Sequence, residues 1–336
     1  MKILILGCGA VGGYFGGKLV QQGANVTFLV RPGRGEQLTR DGLRIENNNG
    51  QINTISNVQW ITSDDDGEST ESFDVIILTC KSYGLAGALQ AVAPFCSPQV
   101  AILPLLNGMA HLDDIQQSFP DAIVWGGTCG IVATLTPDGT IKKMTESQFI
   151  VAGILLPPPD ANKDSHDSAL TPQTSGKEGV LQALIQLMKD AGIDANVSPD
   201  IYAKMWEKWT FLATLGAATC LLDATIGEIH SVTGGASYIQ GVYRECNQVA
   251  TSWMGKEPDA EQQEKIFQRV LGDTKSIVRA SMARDMQNGN PTEADHILGD
   301  LIRRAAQRDI ATPFLSTAYA RLQIYEQQRR QRQEKA

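Results

Sequence analysis

Long apolar runs are missing from this 336-residue chain. None approaches the roughly 20 residues that a membrane-spanning helix requires. The opening, MKILILGCGAVGG, carries an apolar stretch too short for a leader peptide, and its glycines have a better use below. Cysteine is sparse and scattered. Cys8, Cys80, Cys96, Cys129, Cys220 and Cys246 form no CxxC pair, and the four histidines form no cluster at metal-ligand spacing. Neither a disulfide framework nor a metal site is therefore expected, and reduced thiols suit a cytoplasmic protein. Basic residues are outnumbered, 29 Lys and Arg against 37 Asp and Glu, which leaves a formal charge of −8. That balance argues against a nucleic-acid surface, which needs a net basic face. The basic tail QQRRQRQEKA is expected to fray from a last helix into solvent. What is present, 42% hydrophobic and 20% charged residues, is ordinary for a globular protein long enough to build two cores.

Two textures follow one another. Through residues 1–198 strand and helix patterns alternate. KILILG, NVTFLV, DVIILTC and VAILPLL are short continuous apolar runs, as central parallel strands require. Helical spacing lies between them, at Val11–Gln22 and in SYGLAGALQAVAPF. This βαβ alternation predicts an α/β, Rossmann-type doubly wound sheet. AIVWGGTCGIVATL, GTIKKM and SQFIVAGI read as further, partly antiparallel strands, and residues 157–179 as a polar exposed loop. A helix at Val180–Ala191 and a strand in DANVSP close this first domain. From 199 to 336 helical periodicity dominates and predicts an all-helical domain of about six helices. Tyr238–Trp253 carries a buried stripe; NPTEAD reads as a helix start capped by Thr292, and ATPF as another. Such long stripes are compatible with a homodimer or with a monomer.

Gly7-Cys8-Gly9-Ala10-Val11-Gly12 is a GxGxxG that directly follows a strand and opens a helix. The first glycine permits a tight turn and the second lets backbone approach a pyrophosphate. The third lets helix and strand pack closely, and the helix N-terminus then faces the phosphate charge. NAD-binding folds place an acid at the end of the second strand, for the ribose hydroxyls. Here that strand ends FLVRPGR. Arg31, reinforced by Arg34, suits a 2′-phosphate through its planar fork, which points to NADP(H). The alternative is a solvated charge at a strand end. In MWEKWTFLATLGAATCLL, Lys208 shares a helix face with Phe211, Leu212 and Leu215. It either snorkels to the surface or faces a cavity where a proton is delivered, and the helix alone leaves both open.

The chain resembles the ketopantoate reductase (2-dehydropantoate 2-reductase) family over nearly its whole length. ILGCGAVGGYFGGKL, DVIILTCKSYGLAGAL, LPLLNGMAH, MWEKW and SMARDMQNGNPTE match that family's segments in order and spacing. The resemblance implies an NADPH-dependent reduction of a 2-oxo acid to a 2-hydroxy acid. Ketopantoate to pantoate, in pantothenate biosynthesis, is the reaction it points to first. It implies a helical second domain of the 6-phosphogluconate-dehydrogenase-like kind. It makes Lys208 the general acid and puts Lys81, Asn107 and Ala133 at the cofactor or its nicotinamide end. Ser281 would hold the substrate carboxylate, and Glu293 would contact cofactor and order the catalytic site. Asn107 and Lys208 would also touch substrate. Where the family carries asparagines one and two turns after the lysine, this chain has Leu212 and Gly216, and a third is replaced by Ile226. Those residues offer no side-chain donor or acceptor, so a bulkier or more apolar 2-oxo acid, or an imine, is the competing expectation. A non-catalytic NADP-sensing module is a further alternative, although it has no need of a proton donor.

Overall fold

The computed structural model describes residues 1–63, 72–98, 100–155, 177–257 and 260–334. The expected polar loop therefore lies, through residue 176, outside the described residues. Two compact units emerge, one formed by 1–106, 111–155 and 177–204, the other by 107–110 with 205–334.

The first unit is an α/β fold. Its strands are β1 (Lys2–Leu6), β2 (Asn25–Leu29), β3 (Leu43–Glu46), β4 (Ile52–Ile55), β5 (Gln59–Ile61), β6 (Val75–Leu78), β7 (Ala101–Pro104), β8 (Ile123–Leu135), β9 (Ile141–Ile154) and β10 (Asp194–Val197). Its helices are α1 (Ala10–Gln21), α2 (Pro32–Asp41), α3 (Leu85–Val92), α4 (His111–Ser118) and α5 (Glu178–Asp190). Strands β5-β2-β1-β6-β7-β8 run parallel in that order, the doubly wound 3-2-1-4-5-6 arrangement. The continuous apolar runs explain it: Ile3, Leu4 and Ile5 are 0–1% exposed, as strands covered on both faces must be. β8 then turns antiparallel to β9, and β9 carries β3 and β10 alongside it, with β4 antiparallel on β3.

One expectation is corrected. GTIKKM and SQFIVAGI are one 14-residue strand, β9, whose pairing with β8 shifts register between Ile131 and Ala133 and resumes on the far side, from Gln148 to Lys143. The short strands β3, β4 and β5 were not separable in the sequence.

The second unit holds α6 (Ile201–Leu221) from Met205 onward, then α7 (Ile226–His230), α8 (Gly235–Met254), α9 (Ala260–Val270), α10 (Ser281–Gln287), α11 (Asp300–Ala306) and α12 (Pro313–Gln333). A π-helical turn, Asp295–Gly299, precedes α11. Asp200 starts α6 by accepting the Ala203 amide at 3.1 Å. Pro313 opens α12 as ATPF foretold, and the Glu245 carboxylate accepts the Phe314 and Leu315 amides at 3.0 and 2.9 Å. Asp300 and Arg304 pair at 3.1 Å in the interior, and the Arg304 guanidinium lies 5.0 Å from the Trp253 ring centre. Thr292 caps nothing. Its amide and hydroxyl both donate to Glu326, at 2.7 and 2.9 Å, so the segment is anchored to α12 and not to its own helix.

Candidate functional site

The loop after β1 sits where the strand order reverses, with β2 on one side and β6 on the other. Leu6 is level with Leu29 and with Leu78, so Gly7, Arg31 and Lys81 all follow the carboxyl ends of adjacent parallel strands. Such switch points are where open α/β sheets bind ligands. Gly7 has φ +93°, which disfavours any side chain there, and its amide donates to Leu29 O at 2.9 Å. A Cβ on Gly12 would stand 2.2 Å from Gly7 O and 2.3 Å from Thr79 Oγ1, so α1 packs on the loop only because Gly12 is bare. A Cβ on Gly9 would meet nothing within 4 Å. Gly9 is also the N-cap of α1, with no side chain bonded to the helix amides and no acid in the first turn. Ala10 and Val11, the first residues of α1, are half-buried. The loop therefore keeps both the room and the donors that a pyrophosphate uses.

Arg34 does not reinforce Arg31. Its Nε donates to Cys8 O at 3.1 Å, and its Nη1 to Gln37 Oε1 at 2.6 Å and Gly139 O at 3.1 Å. It is a brace for the loop, its donors turned inward. Beside it the Cys8 thiol is pushed up to about 11 by burial, against the lowering effect of the guanidinium. Arg31, exposed at the N-terminus of α2, stays clear of these bonds. Lys81 is exposed ahead of the turn Ser82–Gly84, and Ala133 lies half-buried on β8 just past an irregularity in its pairing with β9.

The remaining candidates fall in the helical unit. Lys204, Lys208 and Leu212 follow one another at four-residue spacing along α6, all half-buried, while Met205, Trp206, Trp209 and Ala213 are buried. Lys208 thus lies on the partly open strip of α6. At the next step along that row, Gly216 is buried, and a Cβ there would stand 2.4 Å from Met282 Cε and 3.7 Å from Leu298 Cδ1. Met282 follows Ser281, the half-buried first residue of α10, whose preceding amide, Ala280 N, donates to Thr219 Oγ1 of α6 at 3.2 Å. Trp209 Nε1, one residue past Lys208, donates to Ile297 O in the π-turn at 2.9 Å. That turn opens with Ile297 N bonding Glu293 O at 2.9 Å, and Glu293 is 3% exposed. Gly108, at φ +79°, lies against His296: a Cβ would be 2.8 Å from Cδ2 and 3.1 Å from Nε2. The segments bearing Asn107, Lys208, Ser281 and Glu293 are therefore joined through direct contacts. His296, integral to that assembly, carried no distinguishing signal in the sequence, and Met282 stood in the matching segment SMARDMQNGNPTE with no role assigned to it. Ile226, 0% exposed at the start of α7, where Thr225 and Glu228 cap each other, donates its amide to Val278 O at 3.2 Å, two residues before Ala280. Among the described residues no group of three or more His, Cys, Asp or Glu is placed to hold a metal, and no helix is long and apolar enough to cross a membrane.

Residues 3–155 match the family model described as ketopantoate reductase PanE/ApbA, and residues 200–326 match that of its C-terminal part. An uncharacterized oxidoreductase, YkpB of Bacillus subtilis, is 32% identical over 97% of this chain and 99% of its own length. A 2-dehydropantoate 2-reductase of Nostoc is 22% identical, with 96% of this chain and 94% of that protein covered. Among solved structures, D-mandelate dehydrogenase with NADH and anilino(oxo)acetate superposes with a TM-score of 0.82 at 23% identity, covering 98% and 99% of the two chains. A PanE/ApbA family ketopantoate reductase from Ralstonia eutropha gives 0.79 at 21% identity, covering 98% and 100%.

Proposed function

This chain belongs to the ketopantoate reductase family, and we propose that it reduces a 2-oxo acid to the 2-hydroxy acid with NADPH. The observation that carries the reading is Lys208, an ammonium on the partly open strip of α6, joined through Trp209 and Met282 to the segments bearing Glu293 and Ser281. In the first unit, the loop Gly7–Gly12 and the uncapped amides of α1 take the pyrophosphate. Arg31 takes the 2′-phosphate, and Lys81 and Ala133 attend the nicotinamide half. The preference for NADPH rests on Arg31 alone, since Arg34 is occupied within the loop. The D-mandelate dehydrogenase of similar fold is itself described with NADH, which makes the cofactor the first point to assay.

When bound, the reduced nicotinamide supplies the hydride for the carbonyl carbon. Lys208 Nζ stabilises the negative charge growing on the carbonyl oxygen and donates the proton that completes the hydroxyl. Ser281 Oγ donates to the substrate carboxylate, Asn107 orients the reacting carbonyl, and the Glu293 carboxylate holds the site in order. Ketopantoate is the substrate in the names of relatives such as the Nostoc enzyme, and belongs in the first assay panel. The test is loss of nicotinamide absorbance with NADPH or NADH across a panel of 2-oxo acids. Turnover that is faster with NADPH and vanishes in Lys208→Ala supports the proposal; no turnover of any 2-oxo acid with either cofactor defeats it.

A further inference from the structure

We infer that the acceptor is a 2-oxo acid whose side chain is apolar and bears no hydroxyl, and that Leu212 and Met282 set this preference. The inference rests on the reductase reading above and concerns the same site. Along the row of α6 that starts at Lys204 and Lys208, the next two positions offer only carbon. Leu212 is half-buried on that row, and at Gly216 the place of a side chain is taken by Met282 Cε, with Leu298 Cδ1 behind it. The threonines of α6 do not supply the missing polarity. Thr214 donates to Thr210 O at 2.8 Å. Thr219 donates to Leu215 O at 2.8 Å and accepts from Ala280 N. Thr210 is two residues from Lys208, about 200° around the helix, and is 2% exposed.

A 2-oxo acid whose carbonyl oxygen meets Lys208 Nζ, and whose side chain lies along this row, therefore meets a leucine and then a methionine. A hydroxyl on that side chain would leave water without gaining a partner from α6, whereas a methyl in its place would gain burial. An apolar wall discriminates against an added hydroxyl only moderately, on the order of 10- to 100-fold, while a wall built to bond the hydroxyl would reject its absence far more strongly.

Trimethylpyruvate and ketopantoate differ by that single hydroxyl, which makes them the probe. The wild-type protein is expected to reduce trimethylpyruvate with a kcat/KM on the order of 10- to 100-fold above that for ketopantoate. Leu212→Asn should narrow or reverse the ratio, while Leu212→Met, which keeps a carbon wall, should leave it in place. A wild-type preference for ketopantoate overturns the inference. So does an unchanged ratio in a folded Leu212→Asn variant. The wild-type ratio alone is decisive if that variant does not fold. Failure to turn over any 2-oxo acid would remove the reductase reading and this inference with it, a result distinct from turnover with the opposite preference.

Discussion

The loop after β1 and the middle of α6 both depend on glycine and use it in opposite ways. At Gly9 the space beside the backbone stays open, next to helix amides with no side-chain cap. At Gly216 the corresponding space is filled by Met282, which arrives from a helix far along the chain. One bare Cα leaves room for a ligand and the other makes room for a neighbour. The contrast also separates two ways of building a site. The loop draws on neighbouring strands and helices of one sheet, β1, α1, β2 and β6. The helical site draws on a turn at 107–110, on α6, on α10 and on the π-turn, segments with nothing in common until they pack.

Three tests probe that division, beginning with the greatest expected loss. Lys208→Ala should lower kcat by about 10²–10⁴ while leaving dinucleotide affinity, read by nucleotide fluorescence, near that of the wild type. An equal fall in both would mean that the two units do not divide the work in this way. Arg31→Ala is expected to weaken NADPH by about 10- to 100-fold, the worth of a charge-assisted bond or two, and to spare NADH. If Arg34→Ala produced that selective loss instead, the brace described above would be misread. The third test pairs Gly9→Ala with Gly12→Ala. The first should keep its melting temperature and lose at least about tenfold in dinucleotide affinity, ~1.4 kcal/mol. The second should lose about 1–3 kcal/mol of stability, because its new methyl meets a carbonyl oxygen. Stability loss of the same size in both would erase the difference between open and filled space.

The smallest effect concerns the anchor ahead of Glu293. Burial alone would raise the Glu326 carboxyl, but the Thr292 amide, Arg329 and the Thr292 hydroxyl outweigh it and hold it below the ordinary glutamate range. A depressed carboxyl contributes stability that is present above the ordinary value, 4.5, and is lost as pH falls through the folded one. Glu326→Gln should therefore cost about 1 kcal/mol near neutral pH, and denaturant titrations should show the gap closing as the solution is acidified. A gap that widened in acid would contradict the assigned direction.

The sequence revealed most of the first unit because parallel strands covered on both faces announce themselves as unbroken apolar runs, as in Ile3–Leu6. It revealed less where strands are short or half-solvated. β3 and β4 have four residues each, and the exposed alternation in β9 disguised one long strand as two. In the helical unit, Lys208 stood out because it interrupts an apolar helix, yet nothing local could show what lies beside it. Thr292 had the residue type and spacing of a helix cap, and an acid 34 positions later took both of its donors instead. Met282 covers Gly216 from 66 positions away, a relation that only packing creates.

The Asn107–Ala110 turn has a bearing on recombination. It is grouped with the helices, while the segments on either side of it belong to the sheet. Met109 is 2% exposed, and Gly108 abuts His296. A chimera that took its helical half from a relative through a single crossover would set foreign helices against a native turn, and any bulkier partner for Gly108 would clash. Exchanging residues 107–110 along with the helices keeps that pair matched, so inheritance of the helical half requires two crossovers upstream of it as well as one at α6.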